Sequence, residues 1–473
     1  MEKPAVNRMS RRRFLKNSAA SAAGLASGSV LAGCGQNDRV ENSAAKKTAP
    51  NILFIVTDQH HYDTIAANGN RYVKTPGLDR LAKNGVTFTN SYCPYPLCTP
   101  SRGAMLTGRT SSEAGVHINE LSIRPDFPNF GQWFSQNSDY ETIYAGKWHL
   151  PETYTTNIPG FDVINTGLIG QGNYCDTSVS IACESYVRNR LKDRPFLMVV
   201  SFMQPHDICE WLRLNLNDQP ELRYPEIESE LPELPDNFEK LPEEPDAVIS
   251  IRKKDEPAQG GWSKLHWRYY LWSYYRQIEM VDAEIERILA TLEETGQEDD
   301  TLVIFTADHG EGCAHHSMVR KSIFYDESAR VPLLVRYPGV IPGDVKASTI
   351  CSGLDIYPTM CDYAGIWTPD IMRGVSLRSV FEGGPLPDRE FVAGEASANN
   401  GQMIRSQRYK YTAYKNDTVE QLFDMEADPG ETINLAGDPS SQDVLNMHRS
   451  MLKDWIAGLD IAPSVPEENM WVL

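Results

Sequence analysis

No stretch of this 473-residue chain approaches the roughly 18 consecutive apolar residues that a membrane-spanning helix requires, so no helical span is expected. Positive charge is scarce as well: 45 Lys and Arg stand against 64 Asp and Glu, a formal net charge of −19. Residues 1–33 hold Lys3, Arg8, Arg11, Arg12, Arg13 and Lys16 against Glu2 alone, so the body that follows is more acidic still. That shortage argues against nucleic acid as a partner. It also means that any anion must be met by a local positive pocket in a negative body. A disulfide framework is missing too. The nine cysteines, Cys34, Cys93, Cys98, Cys175, Cys183, Cys209, Cys313, Cys351 and Cys361, show no paired spacing, and no bridge is expected. What is present, at 41% hydrophobic residues, is enough apolar material for a large core, in a chain longer than one average domain but within the range of α/β domains.

Residues 1–34 read as an address. Ser10-Arg11-Arg12-Arg13-Phe14-Leu15-Lys16 precedes a small-residue, mildly apolar run from Ser18 to Ala32, which resembles a twin-arginine export signal. Leu31-Ala32-Gly33-Cys34 is similar to a lipobox, with Cys34 as the lipidated residue. Residues 35–50, polar and rich in Ala and Lys, read as a tether. The expectation is a protein carried by the Tat translocase to the periplasm or cell surface, held to the membrane only through lipid on Cys34.

Asn51 to Thr57, Pro195 to Phe202 and Thr301 to Phe305 are apolar, β-rich runs, as expected of parallel strands buried on both faces. Between them lie expected helices at 75–84 (with Gly85 as a glycine stop), 130–136, 178–191 and 262–296. A short strand is expected at 142–144. Helical spacing of Ile278, Val281, Ile285 and Leu289 supports the long helix, and its aromatics from Trp267 to Tyr275 read as core. Residues 218–257, rich in Pro, Glu and Asp, read as a long surface insertion. This alternation predicts an α/β fold, a doubly wound, mostly parallel mixed sheet over residues 51–368, with ligands outside the carboxyl ends of its strands. Past a helix at 355–364 the texture changes to short alternating runs at 391–393, 402–405, 409–411 and 421–423 and a helix at 441–458. They predict a smaller α+β C-terminal subdomain, 369–473.

The richest stretch is Pro96-Leu97-Cys98-Thr99-Pro100-Ser101-Arg102-Gly103-Ala104-Met105-Leu106-Thr107-Gly108-Arg109. Thr99 is placed to cap a helix and Pro100 to fill its first position, which sets Cys98 just before a helix N-terminus, where anions are favoured and thiol pKa falls. Arg102, one turn in, adds a planar fork suited to a tetrahedral oxyanion. The string resembles the signature of type I, formylglycine-dependent sulfatases of the alkaline phosphatase superfamily. Ala145-Gly146-Lys147-Trp148-His149 resembles their second signature, with Asp139 in place of the usual Gly before Tyr140. Arg405 to Tyr411 and Leu422 to Pro429 resemble their C-terminal subdomain.

That resemblance implies an alkaline phosphatase-like fold and a set of roles. Cys98 would be oxidised to formylglycine by a formylglycine-generating enzyme in the cytoplasm before export. Asp58, Gln59, Asp308 and His309 would hold a divalent cation. Calcium is the family's usual ion, while Gln59 and His309, where Asp and Asn are commoner, widen the choice to Mg²⁺, Mn²⁺ or Zn²⁺. Lys147 and Lys321 would bind sulfate, with Arg102 helping to hold the charge, His149 would act as the base that breaks a covalent sulfo-enzyme, and His206 would meet the sulfate and leaving oxygen. His316, five residues before Lys321, would contact substrate. His60, His61 and His315 have no counterpart. The implied activity is sulfuric ester hydrolysis, on sulfated carbohydrate given the exported setting. The alternatives are a phosphonate or phosphate diester hydrolase of the same superfamily and an inactive sulfatase-like binding protein.

Overall fold

The computed structural model describes residues 49–167, 172–215, 225–259, 262–370, 372–385, 389–396 and 400–466. The expected export signal, Cys34 and nearly all of the tether lie outside them. In chain order the elements are β1 (Asn51–Thr57), α1 (Pro76–Lys83), β2 (Val86–Phe88), β3 (Ser91–Tyr92), α2 (Cys98–Thr107), α3 (Ser111–Ala114), α4 (Phe130–Asn137), β4 (Glu141–Gly146), β5 (Asp162–Asn165), α5 (Gly172–Asn189), β6 (Phe196–Ser201), α6 (Ile208–Asn215) and α7 (Asp246–Gln259). There follow α8 (Lys264–Glu294), β7 (Thr301–Ala307), α9 (Asp326–Ala329), β8 (Leu333–Arg336), β9 (Val345–Ala347), β10 (Cys351–Ser352), α10 (Ile356–Ala364), α11 (Arg378–Phe381), β11 (Phe391–Ala396), β12 (Gly401–Ser406), β13 (Tyr409–Tyr414), β14 (Gln421–Asp424) and α12 (Gln442–Ala457).

The central sheet runs β5-β4-β6-β1-β7-β8-β2-β9. Its middle is parallel, whereas β8 runs antiparallel to both β7 and β2, so the sheet is mixed and mostly parallel. Successive residues of a strand point to opposite faces. Ile52, Phe54 and Val56 accordingly enter one apolar layer, with residues of α2, α4 and α10, while Leu53 and Ile55 enter the other, with residues of α1, α5 and α8. Burial on both faces is why these strands carry no polar alternation. Because β4, β6, β1 and β7 run the same way, the residues just past their ends, Lys147, Phe202 to His206, Asp58 and Asp308, collect along one edge.

Beside this sheet stands an antiparallel sheet, β11-β12-β13-β14, with α12 contributing to the apolar layer on one of its faces. Lys410 on β13 is fully buried, 2.6 Å from both Asp326 and Glu431. Burial raises the Glu431 carboxyl to about 8, whereas Lys410 offsets burial at Asp326 and holds it below its usual range. Removing the ammonium alone strands buried acid groups. Lys410→Met is therefore expected to cost about 3–5 kcal/mol, read from urea or guanidinium midpoints.

Three local expectations give way to different physics. Helix α2 begins at Cys98 itself, with extended Leu97 as its cap residue and no side-chain cap. Thr99 leaves its hydroxyl without a partner, and its N–H donates to Asn119 Oδ1 at 3.1 Å; the capping acceptor is supplied from a distant loop. Gly85 does not stop α1 by a left-handed turn, since Asn84 closes that helix. A Cβ at Gly85 would instead lie 2.1 Å from the Val335 carbonyl oxygen, so glycine there admits the neighbouring strand. The insertion at 218–257 is not all surface: its described part holds a 3₁₀ turn at Pro225–Glu230 and α7, and buries Leu231, Phe238 and Val248. The α8 aromatics Trp267, Tyr270 and Tyr274 pack in a cluster with Ile208, Leu212 and Phe238, as core.

Candidate active site

Cys98 sits at the first position of α2, 1% exposed, at the meeting point of four strand ends. Its Sγ lies 3.2 Å from His309 Nε2, 3.3 Å from Lys321 Nζ and 3.7 Å from Asp58 Oδ1. His206 is also within hydrogen-bonding reach of the thiol. Burial and Asp58 push the thiol pKa up, but Lys321, Lys147 and His309 outweigh them and hold it well below the usual thiol value. Position 98 is thus built to carry negative charge.

The carboxylates around it are held by fixed cations. Arg102 donates from Nε to Asp308 Oδ2 at 2.8 Å and from Nη2 to Asp58 Oδ2 at 3.2 Å. Its Nη1 donates to Ser201 Oγ at 2.7 Å. Lys147 Nζ donates to Asp58 Oδ2 at 2.6 Å. Burial opposes ionisation of Asp58, yet Lys147, His206, Arg102 and Lys321 together hold it well below the carboxylate range. At Asp308 burial and the neighbouring Asp58 prevail, and its pKa is raised. Two buried carboxylates this close favour a cation between them.

One ligand atom each from Asp58, Cys98, Asp308 and His309 lie within 4.8 Å of one another. Hard oxygens, an imidazole and full burial suit a divalent ion. Gln59 stands at their rim. Its backbone is left-handed, φ 67°, and its N–H donates to Asp308 Oδ1 at 3.0 Å. Its side-chain carbonyl accepts from Lys321 Nζ. The donor set therefore fits the cation that the sequence implied.

Local backbone explains the remaining placements. At Gly146, φ is 101° and a Cβ would lie 1.9 Å from the Ser201 carbonyl oxygen; only glycine lets Lys147 N–H reach that oxygen, at 2.9 Å. Two residues on, His149 adopts φ 65°, half-buried and outside the contact cluster, with Nδ1 lacking a hydrogen-bond partner. Asp139 is not among the residues with positive φ, so the replaced glycine is not missed there.

His316 departs from expectation. Its ring stacks on Tyr325 with centroids 4.1 Å apart, Nδ1 faces the Lys240 carbonyl at 2.9 Å and Nε2 faces the Asn237 amide at 3.2 Å. Both nitrogens are engaged by the protein, and the ring packs against Tyr325 and the insertion. Glu311, Ser201 and Cys209 were missed. Glu311, three residues past Asp308, receives the Gln59 amide; Cys209 Sγ lies 3.3 Å from Gln59 Nε2. A cavity of about 620 Å³ lined by Tyr62, Tyr72, Tyr275, Asn237 and His315 contains none of the catalytic or metal-ligating residues expected from sequence.

A family model described as "Sulfatase" matches residues 50–366. The chain belongs to the sulfatase family. A second model, "N-sulphoglucosamine sulphohydrolase, C-terminal", matches residues 314–457 of this sulfatase. It is 32% identical to a Delta 4,5-hexuronate-2-O-sulfatase of Bacteroides thetaiotaomicron, over 88% of this chain and 90% of the relative. An N-acetylglucosamine-6-O-sulfatase of the same organism is 28% identical over 86% of this chain and 85% of its own. Among solved structures, one described as a 2-O GAG sulfatase is 29% identical with TM-score 0.76, covering 88% of this chain and 95% of that one. A phosphonate monoester hydrolase of Agrobacterium radiobacter shares the fold, with TM-score 0.69 at 23% identity over 87% of this chain and 96% of that one.

Proposed function

We propose that this sulfatase removes sulfate from sulfated carbohydrate, with residue 98 working as formylglycine beside a divalent cation. The observation that carries the reading is the convergence of Lys321, His309 and Asp58 on Cys98 Sγ within 3.7 Å. The relatives described as hexuronate-2-O- and N-acetylglucosamine-6-O-sulfatases support a sugar substrate.

Asp58, Asp308 and His309, with the Gln59 carbonyl, are the groups to hold the cation, whose chemistry is to offset the charge of the ester oxygens. Calcium is the first choice from the oxygens, with Mg²⁺ a second oxygen-preferring ion, whereas the imidazole of His309 suits Mn²⁺ or Zn²⁺ better. Hydrated formylglycine supplies two hydroxyls on one carbon, one to take the sulfuryl group covalently and one to release it without a second attack at sulfur. Arg102 fixes both carboxylates from the α2 side. In this reading Lys147 and Lys321 supply the positive charge that meets the sulfate oxygens. His206, within reach of the thiol, is assigned to the leaving oxygen in this reading. His149, half-buried with an unpartnered Nδ1, is the residue this reading assigns as the base that takes the proton of the second hydroxyl.

Chelation tests the cation. EDTA is expected to abolish turnover and lower the melting temperature, because Asp58 and Asp308 then keep only the fixed cations Arg102 and Lys147 as direct ion-pair partners. Restoring an ion at 100 times its Kd is expected to return about 2.7 kcal/mol of stability.

His309, an imidazole beside two carboxylates, favours one competing reading, a phosphonate or phosphate diester hydrolase. Comparing kcat/KM on 4-nitrophenyl sulfate and an aryl phosphonate monoester separates the two. The proposal requires the sulfate ester to be the better substrate. Export through the Tat translocase and lipidation at Cys34 complete the proposal; membrane-fraction retention lost in Cys34→Ala is the matching assay.

A further inference from the structure

We propose that Glu311 is a positioning residue that sets the Gln59 side-chain amide, turning its carbonyl oxygen toward Lys321 and its NH₂ toward Glu311. The inference rests on the reading that residues 58, 59, 308 and 309 hold a divalent cation, and concerns which face of Gln59 that cation meets.

The backbone of Gln59 is pinned on both sides. Its N–H donates to Asp308 Oδ1 at 3.0 Å and its carbonyl accepts from Tyr274 OH at 2.6 Å. What is free to turn is the amide, where oxygen and nitrogen occupy the same space and are told apart by their partners. On the inner side stands Lys321, whose ammonium only donates, so it selects Oε1. On the outer side stands Glu311, fully buried, whose Oε2 accepts from Gln59 Nε2. The other oxygen of Glu311 accepts from Tyr270 OH and, at 2.6 Å, from the Arg320 N–H. Cys209 Sγ lies 3.3 Å from Nε2 and 3.4 Å from Oε1, so it spans the amide without choosing.

A carboxylate reaching as far as the Gln59 amide would meet Glu311 as a second acid. An amide at 59 and an acid at 311 are therefore a matched pair. In Glu311→Gln the new side chain must keep its oxygen toward Tyr270 and Arg320, both donors, and so turns its NH₂ to Gln59. Two NH₂ groups then face each other in a buried place, a costly arrangement. Gln59 relieves it by rotating, which puts NH₂ against the Lys321 ammonium and the cation. Changing both residues, Gln59→Glu with Glu311→Gln, restores donor to acceptor on both sides.

The test uses the matured full-length protein and measures the apparent Kd for Ca²⁺ and for Mn²⁺ by chelator competition, together with the urea midpoint in EDTA. E311Q is expected to weaken binding about 10–100-fold, and the Q59E/E311Q pair to recover most of that loss. A merely structural Glu311 would lower the metal-free midpoint in both variants without rescue of binding. Binding by E311Q equal to wild type, or a double variant no tighter than E311Q, overturns the proposal. If E311Q does not fold, the comparison is Q59E, with two acids facing, against the pair, and the pair must bind the ions more tightly. Wild-type protein that binds neither ion overturns the metal reading itself, and the proposal with it.

Discussion

Cys98→Ala is expected to release no sulfate above background, a loss of about 10⁴-fold or more, with the folded state intact, since the side chain is small and its charge partners remain. Cys98→Ser is the sharper variant. A serine hydroxyl can accept a sulfuryl group but forms an ordinary ester, with no second hydroxyl on the same carbon to expel it. It is expected to yield at most one equivalent of product alcohol per enzyme and then stop. A stopped-assay count of alcohol against active protein checks this. Steady turnover by either variant would remove residue 98 from the chemistry. A fully inactive wild type that still binds sulfated sugar as well as its Cys98→Ala variant would favour a binding protein.

Arg102→Ala is expected to strike stability and catalysis together. The guanidinium is 3% exposed and bridges Asp58 and Asp308, which are fully buried. Removing it leaves two carboxylates facing each other, at a cost of about 3–5 kcal/mol, read from denaturant midpoints in EDTA. Added divalent ion should recover part of that loss, because it supplies positive charge to the same two oxygens. Catalysis should fall about 10²–10³-fold even with the ion bound, since the fork also orders Ser201 and the Lys147 carbonyl. Arg102→Lys keeps the charge but not the two-sided fork, and is expected to fall between.

The strands that build the site were legible because burial on both faces leaves a continuous apolar run, as in Ile52 to Val56, and an acid directly after such a run marks a strand end. The Cys98 signature was legible because its residues are adjacent in the chain. What escaped was long-range or very short. Strands β3 and β10 have two residues each and β2 and β9 three, too few to show a period. Glu311 meets Gln59 across 252 positions, and nothing local marks that pairing. His316 had the right spacing from Lys321, yet its left-handed backbone, φ 48°, carries the ring into a stack on Tyr325. In the insertion, Leu231 and Val248 are buried singly, with no pattern that composition could reveal.

The most direct test of the account is the mass of the tryptic peptide Asn84 to Arg102, taken from active protein made with its maturation enzyme. It contains both Cys93 and Cys98. Burial pushes the Cys93 thiol well up and keeps it a protonated, unreactive thiol in the folded protein; alkylated after unfolding, it serves as an internal control. The account predicts the aldehyde of formylglycine or its hydrate at position 98 and an alkylated thiol at 93. An active preparation in which residue 98 is entirely a plain thiol would contradict it.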